Sequence, residues 1–314
     1  LYMCNSRVAT GALHVVFRSP EDPADELFDT IMAETDGAAR EAIARALTEN
    51  AQATIDWMRD EGCEFMQHPR RSWGMPMMMP GREMRAGLDW ENSGPNLFLK
   101  SLTQKLEKRG GNLRRGVRVS GLLTDDGRVV GVEIEGGETI DASAVIIADG
   151  GFQADRELIG HHITGSPDSL RQRNTETGRG DGIRMAIAVG AETVGLDKFY
   201  GHVLSRDALT NEHLWPYPQL DVICAKGIVV TTDGRRFADE GQGGIYVTNA
   251  IAALDDPLSA TVVFDRTVWE DAREADIVPP NPSLVDNGGT VLDADTLDEL
   301  ASAAGIDAGG LLIR

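Results

Sequence analysis

Leu, Ile, Ala and Trp recur at helical spacing through ADELFDTIMAET and again through AAREAIARALTENAQATIDWMRDEG, which predicts two helices after Pro23. The turn pair Asp36-Gly37 divides them, and Gly62 ends the second. The period then vanishes. HPRRSWGMPMMMPGREMRAGLDWENSGPN is rich in Pro, Gly and Met, and reads either as a substrate-side loop or as a surface excursion whose methionines fill a gap. A helix from Leu97 to Arg109 follows, closed by Gly110-Gly111.

Beyond it the period changes to that of strands. GVRVSGLL, RVVGVEI and ETIDASAVIIADGG are separated by Asp126-Gly127 and Gly136-Gly137, turn pairs that tolerate positive φ, so the three form a small antiparallel meander. The last contains AVIIA with no polar relief, the pattern of a strand buried on both faces, and stops at Asp149-Gly150-Gly151. TETGRGDGIRMAIAVGAE then places a Gly-rich turn before a helix with Ile183, Ile187 and Ala191 in register. Further on, the pattern predicts a strand in GIVVTTDGRRF, a helix over 246–253, a strand in ATVVFD, and a last helix capped by Asp295 or Thr296.

Composition narrows what such a chain does. At 314 residues and 41% hydrophobic it is long enough for two packed domains. A formal charge of -20 with no basic run argues against nucleic-acid binding, because phosphates are held by clustered Lys and Arg. Cys4, Cys63 and Cys224 are odd in number and widely spaced, which fits a reducing compartment, and the cytoplasm is the expected location. There is no C-x-x-C or H-x-x-x-H spacing, so no metal is expected. No apolar run is long enough to cross a membrane, and LYMCNSRVATG has neither part of a signal peptide.

Several residues can carry chemistry, each with a plainer reading beside it. Gly150-Gly151 lets a ligand approach the backbone, or serves turn geometry alone. Thr177-Gly178 and Asp181-Gly182 offer N–H groups to an anion or a ring oxygen, or simply cap a helix. His202 in DKFYGHVLS can donate to a carboxylate or carbonyl, or be structural. Arg236 and Glu240, in RRFADE, can position an anionic substrate, or be an ion-paired strand end. Tyr246 can carry a proton, or be a hydrogen-bonded core tyrosine. The absence of G-x-S-x-G and G-x-x-x-x-G-K-[ST] lowers hydrolase and nucleoside triphosphatase readings.

Taken in order, these segments resemble the flavoprotein family that includes fumarate reductase, succinate dehydrogenase and the 3-ketosteroid dehydrogenases. Asn5-Ser6 with Ala9-Thr10-Gly11 is similar to the family's G-G-N-[ST]-x-x-[AS]-x-G segment, with Met3-Cys4 in place of the two glycines. AVIIADGGF resembles A-[TS]-G-G-F, with Asp149 where a hydroxyl residue is usual, and TETGRGDGIRMAIAVGAE resembles the T-G-[DE]-G-x-x-M-A-x-x-x-G-A block. GRRFADEG looks nearest to the tricarballylate dehydrogenase branch. His202 falls where the family has a substrate-facing histidine.

The resemblance implies an α/β fold: a Rossmann-like FAD-binding domain with an antiparallel meander over 1–202, and an α+β cap domain over 203–314. It implies FAD as cofactor, touched by Asn5, Ser6, Thr10, Gly11, Val119, Ala148, Asp149, Gly150, Thr177, Gly178 and Asp181. It implies dehydrogenation or reduction of a CH-CH bond next to a carboxylate or ketone, with His202, Arg236, Glu240 and Tyr246 at the chemistry and an electron-transfer partner beyond. Two departures bear on this. DVICAKG stands where fumarate reductases carry their R-G-x-G-[AG] proton-delivery segment, and Gly243-Gly244 where they carry an Arg acid. The family's first βαβ unit, with its G-x-G-x-x-G turn, and its closing flavin contact are expected outside Leu1–Arg314, so the chain reads as a truncated enzyme with little FAD affinity of its own. Alternatives are a 3-ketosteroid dehydrogenase-like enzyme whose pocket is lined by Met77-Met78-Met79, a fragment that binds no FAD, and a small-molecule binding module without redox chemistry.

Overall fold

The computed structural model describes residues 3–35, 37–67, 74–82, 90–274 and 278–311. Asp36, residues 68–73 and 83–89 of the Met-rich stretch, and the final 312–314 lie outside them, so expectations at those positions go no further. The chain divides into two compact units, one of residues up to 116 and one from Val117 onward.

In the first unit a short helix α1 (Asn5–Val8) precedes α2 (Ala24–Glu34) and α3 (Glu41–Asp60), the two helices read from the apolar period. They bury Leu27, Phe28, Ile31 and Ala44 against Val15. Next come β1 (Phe65–Gln67) and β2 (Pro76–Met78), paired antiparallel, and α4 (Gly94–Lys108). Of the three consecutive methionines, Met77 and Met78 are buried and only Met79 is exposed. Met78 packs with Met58, Cys63 and Phe98, which is the gap-filling alternative for this stretch. Glu61 at the end of α3 takes Lys105 Nζ and Arg109 Nη2, each at 2.9 Å, onto its carboxylate and so ties α3 to α4.

The second unit opens with β3 (Val119–Asp125), β4 (Arg128–Ile134) and β5 (Thr139–Asp141), an antiparallel meander in the order expected. Asp126 and Gly127 both have positive φ, +45° and +75°, as a tight two-residue hairpin demands. The AVIIA expectation fails. After Asp141 the backbone forms no strand, and Ile146 is 91% exposed. A strand buried on both faces needs a neighbour along each edge and a layer on each face, and among the described residues none pairs with this segment.

Helices α5 (Arg156–His162) and α6 (Asp181–Ala188) follow, and α6 ends two residues short of Gly190 rather than continuing to Ala191. Then come α7 (Asp221–Lys226), β6 (Ile228–Val230), α8 (Gly244–Ala252), β7 (Thr261–Val263), α9 (Arg266–Asp271), α10 (Pro280–Asp286), α11 (Leu297–Ala304) and α12 (Ala308–Leu311). β6 and β7 pair antiparallel, Ile228 opposite Val263. Ile223, Cys224, Val229 and Val247 make the centre of the largest core cluster, and Val230 packs on its other side with Ala301 and Ile306. Every strand pair among the described residues is antiparallel. Among them, no helix is long and apolar enough to cross a membrane.

Candidate functional site

In the first unit, Asn5 and Ser6 stand at the start of α1, whose third residue Arg7 is buried. Its Nε donates to Asn96 Oδ1 at 2.8 Å and its guanidinium lies 4.5 Å from the Trp90 ring, so the α1 turn is anchored to the start of α4. Thr10 is half-buried and Gly11 buried. Gly11 has φ +88°, and a Cβ there would come within 3.0 Å of Pro95 Cγ, so this glycine is required by packing whatever else it touches.

In the second unit Ile147, Ala148, Asp149 and Gly150 face Gly182, Ile183 and Ala186 of α6 across an open concavity. Asp149 closes the helix start: its Oδ2 accepts the Gly182 N–H at 2.7 Å. That corrects the expectation of a free amide at Gly182. The carboxylate that replaces the usual hydroxyl residue is drawn to the positive end of the helix and occupies the donor itself. Asp181 is engaged as well, its Oδ1 accepting from Arg118 Nη2 at 2.9 Å, which links α6 to the residue before Val119. Val119 is half-buried opposite Ile134 at the end of the meander.

Glycine clearance shapes the rest of this cluster. Gly150 has φ +92° with open space where a Cβ would stand. At Gly178 a Cβ would overlap the Gln153 amide, and at Gly182 one would overlap the Asp149 carboxylate. Thr177 is exposed and its Oγ1 lies 2.8 Å from Thr175 Oγ1. Gln153 Nε2 is a sealed donor with no hydrogen-bond partner among the described residues. A buried N–H without an acceptor costs about 1–3 kcal/mol, so the Gln153 amide, once rotated out of its sealed position beside Gly178, suits a bound group that presents an acceptor oxygen. The flavin ring and ribityl chain of FAD are such groups, and the residues present fit the cofactor on that test.

The candidates nearer the C-terminus gather where α7, α8 and the turn at residues 240–242 pack together. His202 and Asp221 are both largely buried, with His202 Nδ1 at 2.8 Å from Asp221 Oδ2. The Tyr200 ring stands edge-on to the imidazole, 5.2 Å between centroids. Arg236 forks onto Glu240, with Nε at 3.2 Å from Oε1 and Nη2 on Oε2. Glu240 Oε1 also accepts the Val229 N–H at 2.7 Å. Of the two readings of RRFADE, Glu240 takes the ion-paired one: it is 3% exposed and pins the turn to β6. Burial alone would raise its carboxyl, but the hydrogen bonds from Arg236 and Val229 outweigh it and hold the group below the ordinary carboxylate range.

Tyr246, on the first turn of α8, is 42% exposed and makes no hydrogen bond among the described residues, so it is not the core tyrosine of the plainer reading. Cys224 is buried between these groups. Burial first, then the charges of Asp221 and Glu240, push its thiol far upward, so it is not a nucleophile. Asp221 and Gln153 were not singled out from the sequence. The one available signal for Asp221 was DVICAKG itself, a carboxylate opening a helix in a segment that departs from the family pattern.

The second unit thus carries a glycine-cleared helix start beside an antiparallel meander, together with a polar cluster around His202. The FAD binding domain family matches residues 2–310, and the chain belongs to it. It is 31% identical over 277 residues to a 4-oxocyclohexanecarboxylate 2-dehydrogenase of Sinomonas cyclohexanicum, covering 82% of this chain and 47% of that protein. It is 25% identical over 268 residues to a probable fumarate reductase of Shewanella frigidimarina, covering 83% of this chain and 42% of that one. Among solved structures, the 3-ketosteroid-Δ4-(5α)-dehydrogenase of Rhodococcus jostii RHA1 superposes with a TM-score of 0.66 at 20% identity, covering 98% of this chain and 67% of that one, a likeness of fold. The chain spans less than half the length of the two curated relatives.

Proposed function

We propose that this chain is the cofactor- and substrate-binding part of an FAD-dependent oxidoreductase that oxidises or reduces a carbon-carbon bond next to a carboxylate or ketone. The observation that carries the reading is the family match over residues 2–310, and the His202 imidazole gives it a chemical handle. FAD, when bound, supplies hydride exchange at flavin N5. Its holders in this reading lie within 1–202, a Rossmann-like domain: Asn5, Ser6, Thr10, Gly11, Val119, Ala148, Gly150, Thr177 and Gly178, with Asp149 and Asp181 fixing the start of α6. The cap comprises 203–314.

His202 binds or polarises the substrate carboxylate or carbonyl, and the exposed phenol of Tyr246 carries a proton. Arg236, held by Glu240, presents positive charge at the cap edge. The GRRFADEG segment supports a kinship with the tricarballylate dehydrogenase branch. An electron-transfer partner completes the cycle, and the widely spaced cysteines support work in the cytoplasm. Steady-state kinetics of the flavin-loaded protein test the reading. His202→Ala is expected to raise KM or lower kcat by about 100-fold, the scale of a lost polarising or proton-transfer group, with flavin content unchanged. Loss of flavin with unaltered kinetics per bound flavin would remove His202 from the site.

A further inference from the structure

We infer that Asp221 is a positioning residue that fixes the tautomer of His202, so that the neutral imidazole turns a lone pair at Nε2 toward the substrate and donates there only once protonated. The inference rests on the reading above for its chemical purpose, though not for its geometry. A carboxylate accepts hydrogen bonds and has none to give. With Asp221 Oδ2 at 2.8 Å from Nδ1, the ring proton therefore sits on Nδ1. Nε2 is left without a hydrogen-bond partner among the described residues, and it is not among their sealed, unpartnered polar atoms, so it is open to a ligand.

Two further contacts make Asp221 a rigid support. Its other oxygen, Oδ1, accepts the Val203 N–H at 3.3 Å, one residue beyond the histidine it steers. The segment is drawn in again by the Leu220 N–H, which donates to Val203 O at 2.8 Å. On the far side the carboxylate lies against Gly244, the first residue of α8, where any Cβ would overlap Asp221 Oδ1, Cγ and Cβ. Gly244 is thus a glycine for the sake of the aspartate, in the place where the sequence departs from the family's arginine.

The consequence is chemical. A carboxylate or ketone substrate brings acceptors only, and a neutral Nε2 lone pair facing them repels. Productive contact needs the imidazolium, whose charge Asp221 balances at Nδ1. Replacing Asp221 by Asn reverses this. The Val203 N–H keeps the side-chain oxygen, the amide NH2 falls opposite Nδ1, and the proton moves to Nε2.

The test is the tautomer of His202, read by nitrogen-15 NMR on the histidine-labelled chain at a pH where the imidazole is neutral, with the resonance assigned by its loss in His202→Gln. The expected result is a proton on Nδ1 in the native protein and on Nε2 in Asp221→Asn. Gly244→Ala, which leaves both residues in place but displaces the carboxylate, should give a mixture. A native His202 protonated at Nε2 would overturn the inference without any variant, and so would an unchanged tautomer in folded Asp221→Asn. Because the spectrum needs neither flavin nor substrate, failure of the functional reading shows separately, as a His202→Ala enzyme whose kinetics do not change.

Discussion

Glu240 concentrates three bonds in one buried carboxylate: two from Arg236 and one from the Val229 N–H. The arrangement resists neutral substitution because each partner would be left behind. Glu240→Gln keeps an oxygen for Val229 but loses the charge facing Arg236, and is expected to destabilise the protein by about 1–3 kcal/mol at neutral pH. The sign of the pH dependence follows from the lowered carboxyl. Its stabilisation is fully present above the ordinary glutamate value of 4.5 and is lost as pH falls through the lower, folded-state value. Urea unfolding at pH 7 should therefore separate native protein from Glu240→Gln, and the gap should close on acidification below about pH 4. A gap that persists undiminished in acid would mean the side chain acts by shape alone. Asp155 and Asp207, also lowered despite burial by backbone and side-chain donors, steepen the same acid limb in both proteins.

At the scale of elements, α11 shows how a local signal and a core contact divide the work. Thr296 Oγ1 accepts the Glu299 N–H at 3.2 Å, Gly305 ends the helix at φ +69°, and Ala301 between them is fully buried beside Val230 of β6. Thr296→Ala should cost about 1 kcal/mol, whereas Asp295→Ala should cost little, because only the threonine caps; chemical denaturation of the two variants checks the assignment. The sequence offered Asp295 and Thr296 equally, since both are good caps and only the backbone decides which one precedes the first helical turn. Other elements were plainer. The period through Leu27, Phe28 and Ile31 gave α2, and the Asp126-Gly127 and Gly136-Gly137 pairs gave the meander, because both depend on residues near in sequence. AVIIA misled, since apolar side chains express a capacity for burial and not the presence of partners. Asp149 on Gly182 and Asp221 on His202 join residues 33 and 19 positions apart, and no local pattern foretells such pairs.

The whole molecule imposes a field on any ligand the site takes. With 50 acidic and 30 basic residues, its net charge of -20 repels the phosphates of FAD and, in the proposed reading, a carboxylate substrate before they reach the local donors. Screening relaxes this. The Debye length shrinks from about 30 Å at 10 mM salt to about 8 Å at 150 mM, so the distant excess is hidden while groups in contact with the ligand still act. A carboxylate ligand should therefore bind more tightly, and FAD associate faster, as salt rises over that range, the reverse of proteins that draw anions in through a positive surface. Stopped-flow association of FAD and titration of a carboxylate ligand across the same salt series decide the matter. A monotonic weakening with salt would mean that near cations such as Arg236 and Arg118, rather than the acidic whole, set the potential at the site.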